Sequence, residues 1–124
     1  MKQILLAVLF AHIITGAVAQ SERYTGAMQK NMQAMADAKT PEAMLDVVNA
    51  FERIGNAEKN QWLPFYYAAV AQVWHAFMLQ DTKQFDPLAD KATAFLAKAE
   101  ELEKNNSEIA LVKSMIATVK MSAD

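Results

Sequence analysis

Residues 61–79 read QWLPFYYAAVAQVWHAFML, and the interpretation of this stretch decides the fold. Trp62, Phe65, Tyr66, Tyr67, Val70, Val73, Trp74, Phe77 and Met78 recur at helical rather than alternating spacing, over a length well beyond an ordinary strand. The spacing predicts a helix from about Gln61 to Leu79, with Pro64 in the first turn, where a missing N–H does no harm. Apolar side chains on nearly every side predict burial between two neighbouring elements.

The segments on either side supply those neighbours. Downstream, a polar stretch from Gln80 to Phe85 is followed by Asp86 and Pro87, a cap-plus-proline helix start. The helix that follows should turn Leu88, Ala92, Phe95, Leu96, Ala99 and Leu102 inward and Lys91, Lys98, Glu101 and Lys104 largely outward, ending at Asn105 and Asn106. Ser107 and Glu108 open a last helix with the face Ile109, Val112, Met115, Ile116 and Val119. Upstream, Thr40 and Pro41 begin a helix with the stripe Met44, Val47, Val48, Phe51 and Ile54, closed by or tolerating Gly55. A first helix should start after Ser21, run to about Lys39, and bury Tyr24, Ala27, Met28, Met32 and Met35. Five helices and no strand are expected. Only three Gly and three Pro occur, in a chain rich in Ala, Met, Leu, Lys, Glu and Gln.

The amino end has a different character. Met1 and Lys2 precede an apolar run from Ile4 to Ile14, then Thr15, Gly16, Ala17, Val18 and Ala19. A basic start, an apolar centre and small residues at the end form a secretory signal, with cleavage expected after Ala19. A membrane anchor fits less well, because spanning takes about 20 apolar residues and this run is shorter and broken by His12. The expected division is therefore a signal peptide over 1–19 and a helical domain over 20–124. The domain should be exported to a bacterial periplasm or secreted, without stable membrane insertion.

Without Lys2 the charge falls to −3 from the −2 of the whole chain. A mildly acidic surface repels phosphate backbones, which argues against nucleic acid as a partner. The absence of cysteine excludes disulfides, thiolate metal sites and thiol nucleophiles. His75 is the one histidine of the domain and has neither Glu-x-x-His nor His-x-x-x-His around it, so neither a metal site nor catalysis is expected there. Glu100, Glu101 and Glu103 point in different directions on a helix and read as a solvated face. Met28, Met32, Met35 and Met44 at helical spacing read as core rather than soft-metal ligands. No phosphate loop, serine nucleophile motif or paired acid is present. No enzyme activity, cofactor or metal is expected. Among the six rings of residues 61–79, most should be buried, leaving one or two for an exposed patch.

The chain also matches itself. A shift of 45 positions lays Glu58, Lys59 and Asn60 on Glu103, Lys104 and Asn105. It also lays Val47, Phe51 and Ile54 on Ala92, Leu96 and Ala99, and Tyr67, Val70, Ala71 and Trp74 on Val112, Met115, Ile116 and Val119. A shift of 43 lays Tyr24, Ala27 and Met28 on Tyr67, Val70 and Ala71. The repeated unit is a helix pair, used about two and a half times.

From Trp62 to Glu108 the chain resembles a tetratricopeptide repeat (TPR). Ala92, Leu96, Ala99, Leu102 and the Asn105–Asn106 pair stand where that family has Ala, a large apolar residue, Ala and a Pro-Asn-Asn-like exit. It departs from the family in three ways. Lys104 replaces the proline, Tyr67 and Ala68 replace Leu-Gly, and the period exceeds 34. Other helical hairpin repeats with periods of about 40 to 47 remain open. The resemblance implies an antiparallel superhelix of helical hairpins that binds a protein or peptide noncovalently on the surface lined by the first helix of each pair. It places Phe65, Ala69 and Gln72 toward that groove. By the repeat, the last helix lacks its second member. Its face of Ile109, Val112, Met115, Ile116 and Val119 therefore packs wholly on its neighbour, or pairs with a partner or a second copy, or marks a shortened relative of a longer array. The competing function is a small bundle holding an apolar ligand or lipid between its helices.

Overall fold

The computed structural model describes residues 22–124, so the expected signal and its cleavage point lie outside the described residues. The described residues form five α-helices packed on one another, with no strand among them. They are α1 (residues 22–37), α2 (Pro41–Ala57), α3 (Leu63–Leu79), α4 (Phe85–Leu102) and α5 (Ser107–Met121).

The helix boundaries follow local chemistry. Thr40 is extended and its hydroxyl accepts from the Ala43 N–H at 3.1 Å, with Pro41 as the first helical residue. Asn106 caps α5 by accepting from the Glu108 and Ile109 amides at 2.8 and 3.3 Å, one residue before the expected start at Ser107. The polar stretch after α3 departs from the expected loop. Asp81 accepts from the Lys83 N–H and closes a 3-10 turn (Thr82–Gln84) that runs straight into α4 at Phe85. Asp86 and Pro87 therefore sit inside the first turn of α4 rather than starting it. Left-handed backbone at Gln80 (φ 55°) ends α3, and Asn105 (φ 57°) adopts the same conformation between α4 and α5. Only Asn among these two is a residue that readily tolerates it.

Contacts between helices give their directions. Phe51 of α2 stacks on Tyr67, and Gly55 faces Phe65. Phe77 meets Phe85, while Lys98 lies over the Phe65 ring. In each case a later residue on one helix meets an earlier one on the next, so α2, α3 and α4 run antiparallel in turn. Lys113 with Glu100 and Lys120 with Asp90 extend the pattern to α5. These two pairs are exposed and help set the register more than the stability. The Asn31 amide donates to the Val47 carbonyl at 3.0 Å, tying α1 to α2.

The core is built around α3, whose buried side includes Phe65, Ala68, Ala69, Gln72, Val73 and Ala76. Facing it are Val47, Val48 and Phe51 of α2 and the small-residue side of α4, Ala89, Ala92 and Ala99 with Leu96. Alanines along α4 permit a close approach of helix axes. Burial follows the sequence repeat from α1 to α3, where Met28 and Ala71 are both buried and Tyr24 and Tyr67 are both half-buried. It follows it from α2 to α4 as well, through Val47 with Ala92 and Phe51 with Leu96. At α5 the correspondence slips. Val119 is fully buried, whereas its counterpart Trp74 is exposed.

Gly55 shows how tight the α2–α3 contact is. A Cβ built there would stand 2.7 Å from the Phe65 ring, itself buried and covered by Lys98. Alanine gains about 1 kcal/mol of helix propensity over glycine, but overpacking costs about 1–3 kcal/mol. Gly55→Ala is therefore expected to destabilise by about 1 kcal/mol net, measured by denaturant unfolding. An unchanged or raised midpoint would show that the ring gives way freely.

Candidate binding face

The apolar character of α3 continues around most of its circumference, yet one side is covered less completely than the other. Leu63, Tyr67, Val70 and Trp74 recur at four, three and four residues, which aligns them on one stripe. Leu63, Tyr67 and Val70 are half-buried and Trp74 is 47% exposed. Phe77 continues the stripe and is half-buried. This side is opposite the one centred on Gln72, which lies two residues from both Val70 and Trp74 and so about half a turn away.

Helix α1 flanks the stripe and makes a groove with it. Tyr24, Thr25, Met28, Gln29, Met32 and Gln33 from α1 and Leu63 and Tyr67 from α3 line an open depression of about 630 Å³. None of these eight residues is charged. Met32 is an exposed methionine here, 38% accessible, and methionine adapts its unbranched chain to irregular apolar surfaces.

Aromatic contacts fix the floor of the groove. Tyr67 stacks on Phe51 at 5.5 Å and meets Tyr66 edge-on at 5.0 Å, and Trp62 meets Tyr66 edge-on at 5.5 Å. Such pairs hold rings in place beyond their burial alone. Burial raises the Tyr24 hydroxyl pKa, and the charge of Glu58 adds to it. Burial likewise raises that of Tyr66, with Glu108 at the start of α5 and Tyr67 contributing. Both phenols therefore stay neutral at ordinary pH, as an uncharged surface requires. The Tyr24 hydroxyl is buried with no hydrogen-bond partner among the described residues.

Of the residues that the repeat resemblance placed toward a groove, Phe65 lines a shallow depression with Gly55, Lys59, Lys98 and Leu102, and Ala69 and Gln72 do not line it. Phe65 is 6% exposed, Ala69 and Gln72 are fully buried, and all three face the α2–α4 side of α3. They share one face of the helix, which two neighbouring helices cover, so only the edge of the Phe65 ring reaches solvent. The opposite stripe is the accessible one. The apolar face of α5 is also occupied. Ile109, Val112, Ile116 and Val119 are buried and Met115 is half-buried, in contacts with α4 and α3. These five residues do not form a free surface for a second copy. The large apolar groups that α5 exposes are Leu111 and Met121.

The carboxylates Glu100, Glu101 and Glu103 do not converge. Glu100 pairs with Lys113 at 2.6 Å, and no group of three residues able to hold a metal ion exists among the described residues. No described helix is long and apolar enough to cross a membrane. His75 is 7% exposed, next to Trp74 in the chain but on the covered side of α3. What the sequence signal missed was the choice of face. Hydropathy is nearly uniform around α3, so only the positions of α1, α2 and α4 decide which stripe remains open. No protein-family model, curated protein or solved structure matches the chain.

Proposed function

We propose that this protein is an exported, noncatalytic docking scaffold that holds an uncharged, apolar segment of another protein along the open stripe of α3 and the α1–α3 groove. The observation that carries this reading is the exposure of Trp74, at 47%, within a stripe that is apolar throughout. An exposed aromatic ring within a partly open apolar stripe is the kind of surface that interaction sites use, and tryptophan is a frequent energetic anchor of interfaces. The lining selects the partner's chemistry. With no charged residue in it, the groove offers nothing to offset the desolvation of a carboxylate, ammonium or phosphate. Gln29 supplies a neutral amide suited to a peptide backbone. The internal helix-pair repeat supports a ligand surface on α1 and α3, the first helices of successive pairs, although on the opposite stripe of α3 from Phe65, Ala69 and Gln72.

The length of α3 sets the size of the probe. Seventeen residues of helix span about 25 Å, which an extended peptide covers with about eight residues. Such a peptide, built from leucine, methionine and glutamine, is expected to shift Trp74 fluorescence to the blue in a Trp62→Phe background. Trp74→Gln should weaken binding roughly 30-fold, the usual scale for a lost interface tryptophan, with helix content unchanged because the side chain is half exposed. Equal binding by Trp74→Gln, or an affinity that rises with peptide charge, contradicts the reading.

A second reading has one observation in its favour. The groove volume of about 630 Å³ lies within the range of small-molecule sites, which suits a lipid or another apolar ligand. Native mass measurement of the purified protein distinguishes the two, since a retained lipid adds a fixed mass.

A further inference from the structure

The covered side of α3 has polar groups at its centre. Gln72 is fully buried and His75, one turn on, is 7% exposed. Neither the amide nitrogen and oxygen of Gln72 nor the two ring nitrogens of His75 have a hydrogen-bond partner among the described residues. The rest of this side is Phe65, Ala68, Ala69, Val73 and Ala76, so the pair interrupts an otherwise apolar seam between α2, α3 and α4. The charged groups acting on His75 are Glu42, in the first turn of α2, and Lys91 on α4. From Ala68 to Leu79 its own helix carries no charge.

These surroundings treat the two protonation states of the imidazole unequally. A neutral ring is tolerated in a covered seam at the cost of unmade hydrogen bonds. An imidazolium needs solvent or acceptors, and here it would meet the like charge of Lys91, with Glu42 to attract it and both of them exposed. Water and salt screen both of these exposed charges, so burial is the larger influence. We propose that His75 is an acid-sensitive latch: uncharged, it lets α2, α3 and α4 close on one another, and a proton on it opens that end of the seam. Because Trp74 is the adjacent residue, loosening this end of α3 disturbs the open stripe as well. The latch stands independently of what occupies the stripe.

The direction of the pH dependence follows. Burial, and then Lys91, lower the His75 pKa in the folded chain, with Glu42 opposing. The unfolded chain therefore takes up the proton first as pH falls. The stability contributed by neutral His75 is complete above the unfolded value of about 6.5 and is lost as pH falls through that value toward the lower folded one.

The test is urea unfolding of the full chain at pH 7.5 and 5.0, compared with His75→Gln, together with the NMR titration of the His75 ring. The folding equilibrium constant of the unaltered protein should drop about tenfold for each unit separating the two pKa values, to a ceiling of roughly 30-fold at pH 5.0. His75→Gln should lack that portion of the drop, and the ring should titrate below its ordinary range. Equal acid sensitivity in the two proteins, or a ring that titrates at or above the ordinary value, overturns the proposal. If His75→Gln does not fold, the ring titration of the unaltered protein still decides between the outcomes.

Discussion

Truncating Phe51 to alanine is expected to cost about 3–5 kcal/mol, the range for deleting a fully buried phenylalanine ring. Phe51 is fully buried and is the largest such side chain in the core. It sits on α2 where that helix crosses α3, stacked on Tyr67 at 5.5 Å with ring planes 23° apart. The loss combines the transfer of the ring to water with a void that neighbouring helices close only in part. A small domain has about 5–15 kcal/mol of stability in all, so Phe51→Ala should be marginally folded at ambient temperature. Denaturant unfolding followed by circular dichroism measures it. Tyr67 lines the groove, so the same substitution should also weaken ligand binding although Phe51 itself touches no solvent. A loss under about 1 kcal/mol would mean that the α2–α3 contact is not the centre of the core.

Gln72→Met should act in the opposite direction. The two side chains are similar in length and volume, and methionine adapts to the space it is given. Gln72 keeps an amide donor and acceptor away from water, unpaired by any described residue, at a cost of about 1–3 kcal/mol. Replacing it with a thioether should raise stability by about that amount. Substitutions in a closely packed core usually destabilise, which makes a gain a discriminating result. A lower unfolding midpoint for Gln72→Met would show that the amide makes a hydrogen bond worth more than its desolvation. Combined with His75→Gln, the variant also shows whether the two residues act as a unit, since side chains one turn apart should give non-additive changes.

Much of the architecture was legible in the sequence because it rests on local chemistry. Thr40 with Pro41 marked the start of α2, and the stripe of Val47, Val48 and Phe51 its buried side. On α4, Ala92, Phe95, Leu96 and Ala99 are buried as their spacing implied, while Leu102 is exposed because α4 ends there. The 3-10 turn after α3 escaped, since Asp81 caps it through a side-chain bond that a search for Asp-Pro helix starts passes over. The candidate site was harder to read, for a physical reason. A helix with apolar residues on all sides has no preferred orientation in its own sequence. Phe65, Ala69 and Gln72 met the spacing criterion as well as Leu63, Tyr67 and Trp74 did. Their burial is decided by α2 and α4, which approach closely at Gly55 and along the alanines of α4. The five apolar residues of α5 resembled a free face for a similar reason, because the repeat gave no sign that α3 as well as α4 would lie against them.

Two sides of α3 thus have separate tasks. One side, from Phe65 to Ala76, assembles the core, and the other, from Leu63 to Trp74, is apolar and only partly covered. NMR of the isotopically labelled full chain, titrated with the uncharged eight-residue peptide, examines this division directly. Resonances of Met28, Met32, Leu63, Tyr67 and Trp74 should move first and furthest, with those of Phe65, Ala69 and Gln72 nearly still. Shifts concentrated on the outer surfaces of α2 and α4, or none at millimolar peptide, would contradict it.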